Sequence, residues 1–141
     1  MNKKIGVLFI FTILMAAVIP TTQTTEISNV LEPKPIQFVE LEIGEICGGL
    51  LGITSILKNN GTTNATNVSY SIVLNGEIIF IGQNVSEKIG TLEPNGTAGM
   101  YDIPLIGFGP VEIKVTANAN ETDKVTKKAK GFVLLVYTII H

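Results

Sequence analysis

From Asn67 to Leu74 the chain alternates without a break: Val68, Tyr70, Ile72 and Leu74 fall on one parity, and Asn67, Ser69, Ser71 and Val73 on the other. Successive side chains of a strand point to opposite faces, so a period of two describes a strand with one face in a core and the other toward solvent. No helix accommodates that pattern. The alternation belongs to a longer stretch, Ile53 to Gly76, in which an apolar strand, an Asn- and Thr-rich turn and the half-buried strand follow one another. Asn75-Gly76 closes it as a favoured two-residue hairpin turn, because a type I′ turn needs positive φ at both central positions. A further strand is expected over Glu77 to Gly82.

Other strand-like runs are separated by Gly, Asn and Pro at the spacing of an all-β sandwich, and no helical period of useful length accompanies them. Seven strands are predicted. The first covers about Gln37 to Ile46, with Val39, Leu41 and Ile43 on one face and Glu40 and Glu42 on the other. The second covers about Leu50 to Lys58, with Leu51, Ile53, Ser55 and Leu57 inward, although Ile56 on the opposite parity leaves that register open. After the two strands flanking Asn75-Gly76 comes a looser segment. Glu93-Pro94-Asn95-Gly96 then forms a turn before a fifth strand, Ala98 to Leu105, with Tyr101, Ile103 and Leu105 alternating with Asp102. The sixth runs from Pro110 to Asn118 with Val111, Ile113, Val115 and Ala117 inward, and the seventh from Lys124 to Ile140. The expected fold is therefore an all-β, seven-stranded immunoglobulin-like β-sandwich.

The sandwich is expected over residues 37–141, and what precedes it reads as targeting. Met1-Asn2-Lys3-Lys4 supplies a positive start and Ile5 to Ile19 an apolar run ending at Pro20. Such a run is short for a bilayer span, which favours a cleaved signal peptide over residues 1–24; an uncleaved N-terminal membrane anchor is the other reading, since no clean small-residue cleavage site follows. Residues 25–36, with Glu32-Pro33-Lys34-Pro35, read as a linker whose prolines deny it helix and ladder hydrogen bonds. Loss of Lys3 and Lys4 with the leader changes ten Lys against twelve acids into eight against twelve, from −2 to −4. With no Arg, and with Lys124, Lys127, Lys128 and Lys130 better read as a solvated strand edge that discourages pairing, no nucleic-acid partner is expected.

Six N-x-[ST] acceptor sites stand at Asn60, Asn64, Asn67, Asn84, Asn95 and Asn120, drawn from eleven Asn. Asn67 shares the parity of Ser69 and Ser71, and Asn120 continues the outward parity of Glu112 to Asn118, so a glycan at either would clear the core. The competing explanation is compositional, because turns are rich in Asn, Gly and Thr. An exported, extracellular, N-glycosylated protein is the expectation.

The succession ITSILKNNGTTNATNVSYSIVLNG, IGTLEPNGTAGMYDIPL and GPVEIKVTAN resembles the cell-adhesion-related (CARDB-like) Ig-like domains of archaeal and bacterial surface proteins, over about Val39 to Ala119. The resemblance implies an Ig-like sandwich with an adhesion or envelope role. Two details depart from it: Asn95 stands before Gly96 in the Leu92-Glu93-Pro94-Asn95-Gly96 turn, and the acidic, Asn-rich ending is reduced to Asn120-Glu121-Thr122-Asp123. No cation site is carried over.

Chemistry is not legible in these residues. The single His, His141, is the last residue, so no Ser-His-Asp or Cys-His arrangement is expected, and one Cys with one His makes no ordinary zinc site. Asp102 and Asp123 are the only Asp residues, without a calcium-loop pattern, and Glu40 and Glu42 at strand spacing are a solvated face rather than a carboxylate pair. No enzyme, cofactor or metal is expected. Two features point instead to assembly. Cys47, alone in the chain, is either a buried thiol or a cross-link to another chain. The run Phe132 to Ile140 is apolar on both strand faces, which fits a central strand covered on both sides, or an interface formed by Phe132, Leu134, Val136 and Ile140. The function expected is a non-catalytic cell-surface module that contacts other surface proteins or copies of itself, and the membrane only through an uncleaved N-terminal segment. A subunit of an extracellular filament or surface complex, assembled through the apolar C-terminal strand, is the alternative. With no Trp and three Tyr, a sugar-binding platform is a weaker third.

Overall fold

The computed structural model describes residues 33–141; the expected leader and most of the linker, residues 1–32, lie outside the described residues. The compact unit spans Ile36–His141. Its strands are β1 (Leu41–Ile43), β2 (Cys47–Gly49), β3 (Gly52–Asn59), β4 (Ala65–Ile81), β5 (Asn84–Leu92), β6 (Thr97–Asp102), β7 (Ile106–Ala119), β8 (Thr122–Leu135) and β9 (Tyr137–Ile140). The described chain is all-β, in two antiparallel sheets. In the first, β3 is central, with β1 and β2 in succession along one side and β6 on the other. The second has the order β5-β4-β7-β8-β9.

The inward parities of both sheets make one core. Ile53, Leu57 and Met100 come from the first sheet, and Val68, Ile72, Leu74, Ile113, Val115 and Val133 from the second, all essentially without exposure. Burial of these aliphatic side chains is the main favourable term, at roughly 1.5–3 kcal/mol each. The alternation over Val68 to Leu74 and over Val111 to Ala117 is placed as expected; in β3 Ile53, Ser55 and Leu57 are buried and Ile56 exposed, but Leu51, expected inward, precedes the strand and is exposed. At one margin the sheets approach closely. Leu50 bridges Tyr137, and a Cβ on Gly48 would lie 2.4 Å from the Thr138 carbonyl oxygen, so only glycine allows that approach.

Several expectations are corrected. The chain does not turn at Asn75-Gly76: β4 runs through it, pairing Asn75 with Glu112 and Gly76 with Val111, and a bulge follows. The partner strand β7 is long enough to pair with β4 from Ser69 to Ile81, so the ladder overrides the local turn preference. The β4–β5 ladder closes instead with Val73 opposite Asn84 and the Leu74 N–H on the Gln83 carbonyl, and the chain returns to it through Gly82, where φ is +86°. The segment after it, expected to be loose, is β5. The first expected strand is reduced to β1, and β2 forms in the expected connection after it, because the chain leaves the ladder at Gly44 to Ile46 and rejoins β3 further along. The last expected strand is two. Leu135 adopts φ +59°, and β9 returns along β8 with Tyr137 opposite Leu134. Nine strands are thus described where seven were expected.

The fifth strand is inverted. Asp102 pairs with Ile53 and Met100 with Ser55, and directly paired residues share a face, so Met100 and Asp102 point inward while Tyr101 and Ile103 are more than half exposed.

The lysines of β8 lie as expected at a strand edge, since β9 covers only Gly131–Leu134 and leaves Lys124 to Lys128 beyond its end. Lys127 Nζ donates to the Ile43 carbonyl at 3.3 Å, and Lys128 Nζ stands 3.3 Å from Glu112 Oε1 with both side chains exposed. Exposed pairs contribute little. Lys128→Ala is expected to change the unfolding free energy by less than about 0.5 kcal/mol in urea titrations.

Candidate functional site

The antiparallel ladders bring five of the six acceptor sites to one end. Lys58 pairs with Thr97, Ala65 with Leu92, and Ser69 with Asn118, so the end of β3, the start of β4, the end of β5, the start of β6 and the β7–β8 turn are neighbours. Asn60, Asn64, Asn67, Asn95 and Asn120 all belong to these segments; Asn84, at the start of β5, is opposite Val73, partway along β4. Asn64, Asn67, Asn95 and Asn120 are exposed, whereas Asn60 is half-buried and its carboxamide donates to Glu42 Oε2. Asn67 sits at a bulge with φ +51°, and Asn95 occupies the β5–β6 turn with φ +59°. Asn tolerates this left-handed region better than most residues.

Polar contacts hold these segments in place. Asn67 Nδ2 donates to Asn120 Oδ1 at 3.3 Å, and Asn120 Nδ2 to the Thr66 hydroxyl at 3.2 Å. Glu121 accepts the Thr66 backbone N–H at 2.8 Å as well as its hydroxyl, and these bonds hold the Glu121 carboxyl below its ordinary range. Beneath them, Asn59 is fully buried. Its Nδ2 donates to the carbonyls of Thr63 at 2.8 Å and Leu92 at 3.0 Å, and its Oδ1 accepts the Gly61 N–H at 2.9 Å. Its backbone also accepts from Asn95 N at 2.8 Å and donates to Gly96 O at 3.1 Å. One residue thus pins the loops on both sides of β3.

The interface candidates divide. Phe132 and Leu134 share the outer face of the second sheet, Phe132 half-buried and Leu134 48% exposed. Val136 lies in the turn, where its carbonyl accepts the Leu51 N–H, and Ile140 is packed against the core. Reversal at Leu135 exchanges the parities, so in β9 it is Tyr137 and Ile139 that point outward, 50% and 46% exposed. Cys47 is exposed, a free thiol in β2, and lines with Ile139 a groove between β2 and β9.

Among the described residues, one buried ionisable side chain has no hydrogen-bond partner. Asp102 is fully buried, and neither carboxylate oxygen has a hydrogen-bond partner; burial pushes its carboxyl from an ordinary 3.8 up to about 6. Nearby, the Tyr70 hydroxyl accepts the Tyr101 N–H at 3.2 Å and donates to Glu87 Oε2 at 3.1 Å, tying the two sheets together; burial raises its pKa. Among the described residues no group of three His, Cys, Asp or Glu side chains converges on a point that could hold a metal ion. No family model, curated protein or solved structure matches the chain.

Proposed function

We propose that this chain is a non-catalytic, exported cell-surface module of immunoglobulin-like build, with an adhesion or envelope role and N-glycans on one end of its sandwich. The observation that carries the reading is the gathering of Asn60, Asn64, Asn67, Asn95 and Asn120 at a single pole, four of them exposed and in turns or at a bulge. Acceptors scattered by composition would be spread over both ends. The apolar run Ile5 to Ile19 supports export, and the resemblance to cell-adhesion-related domains supports the role.

The test is peptide mapping by mass spectrometry of the protein taken from its own host. Glycan increments are expected on Asn64, Asn67, Asn95 or Asn120, with Asn60 the least occupied of the five because it alone is half-buried. A bare polypeptide mass would remove the glycosylation reading.

A further inference from the structure

The second sheet has an outer face that changes character along its length. Toward the polar pole, the outward rows are Val73–Lys114–Lys128 and Asn75–Glu112–Lys130, charged and of mixed sign. Past them one charge remains on β4, the exposed Glu77 in the bulge between Gly76 and Ile78. Residues 46–57, 78–83, 103–111 and 131–140, which build the far end of the molecule, contain no charged side chain.

In place of charge there are two apolar rows. Paired residues share a face, so the ladder sets Ile78, Phe108, Leu134 and Tyr137 side by side across four strands, and the bridge to Leu50 extends the row. Their exposures run from 44% to 69%. Pro110, Phe132 and Ile139 form the next row. Phe108 and Phe132 meet edge to face, with ring centroids 5.7 Å apart, so much of the surface is already ordered.

We propose that this face is covered by the same face of a second copy of the chain. Eight apolar side chains, most of them about half exposed, offer on the order of 600–700 Å² per protomer, near the share one partner contributes to a standard interface and at the top of what a monomer ordinarily leaves bare. The charge pattern selects the partner. With the leader removed the chain has a surplus of acids and repels itself over most of its surface, but not here. The bordering rows carry Glu112 beside Lys128 and Lys130, a mixed-sign rim that a two-fold operation can set against itself. A bilayer fits less well: anionic lipid calls for a basic rim, and the bordering rows carry both signs. The acceptor sites other than Asn84 lie at the opposite pole, so pairing leaves them uncovered. The inference does not depend on whether they are glycosylated.

Sedimentation velocity of the full chain in its exported form, from about 1 to about 100 µM, tests the pairing. A monomer–dimer equilibrium with Kd near or below about 10 µM is expected. Phe108→Glu, Leu134→Glu and Tyr137→Lys should each weaken it at least about tenfold, while Lys114→Ala leaves it within about twofold. The three substitutions lie on three strands and at exposed positions, so failure of one to fold leaves two to decide. A chain that stays monomeric throughout, including one that instead floats with phosphatidylcholine vesicles, overturns the proposal. So does a dimer indifferent to all three substitutions.

Discussion

Asn59→Ala is expected to lower the unfolding free energy by about 3 kcal/mol, a large share of the stability of a domain this size. The substitution strips the Gly61 N–H and the Thr63 and Leu92 carbonyls of their partner in a site closed to water. An unsatisfied buried group costs about 1–3 kcal/mol, and loosened loops recover part of that by reaching solvent. Asn59→Asp distinguishes hydrogen bonding from mere volume. It keeps the acceptor for Gly61 but turns a donor into a carboxylate against two carbonyl oxygens, so it should be at least as damaging as Ala despite its near-identical shape. Chemical denaturation of the three proteins checks this, and a loss under about 1 kcal/mol for both variants would mean that the loops do not hang on Asn59.

The second large effect is electrostatic and runs against the usual trend. The Asp102 carboxyl has a folded-state pKa of about 6 against an ordinary 3.8, so between those values the folded chain holds a proton that the unfolded chain has already released. Its contribution to stability is fully present below about pH 4 and is lost as pH rises through about 6. Across that window the loss is about 3 kcal/mol, because each pH unit separating the folded and unfolded titrations is worth about 1.4 kcal/mol. Glu121, whose carboxyl is lowered, acts the other way and only at the acid end. Asp102→Asn separates the two. It keeps the shape, cannot ionise, and should be the more stable protein at pH 7, with the advantage disappearing near pH 4. Melting curves of parent and variant that stay parallel from pH 4 to pH 7 would show that Asp102 does not titrate in the folded interior.

Much of the core could be read from the chain, because a half-buried strand states its own register. Val68 to Leu74 and Val111 to Ala117 point as their alternation requires. What local pattern could not supply was the partner. Asn75-Gly76 is a good turn only where no long strand lies alongside, and β7 lies alongside. Local pattern turns Asp102 outward because it is charged and its neighbours Tyr101 and Ile103 are apolar; pairing with Ile53 reverses that choice at the cost of a buried carboxyl. Asn59 carried no signal, being one of several Asn in an Asn-rich turn.

The candidate surface was half legible for a similar reason. Apolar residues on both parities from Phe132 to Ile140 pointed to an apolar outer face, and Phe132 and Leu134 are there. As one unbroken strand, however, the run would assign Val136 and Ile140 to that face, whereas the turn at Leu135 hands the positions to Tyr137 and Ile139. The contributions of Ile78 and Phe108 come from distant parts of the chain and are visible only through the ladder.

Hydroxyl-radical footprinting of the unmodified, exported chain at low and high concentration examines the division into a covered apolar face and an open polar pole most directly. Phe108, Phe132, Leu134 and Tyr137 should lose reactivity as concentration rises, while Tyr101, 54% exposed on the other sheet, keeps its own. Reactivity at Phe108 and Tyr137 that is independent of concentration, or protection that extends equally to Tyr101, would contradict it.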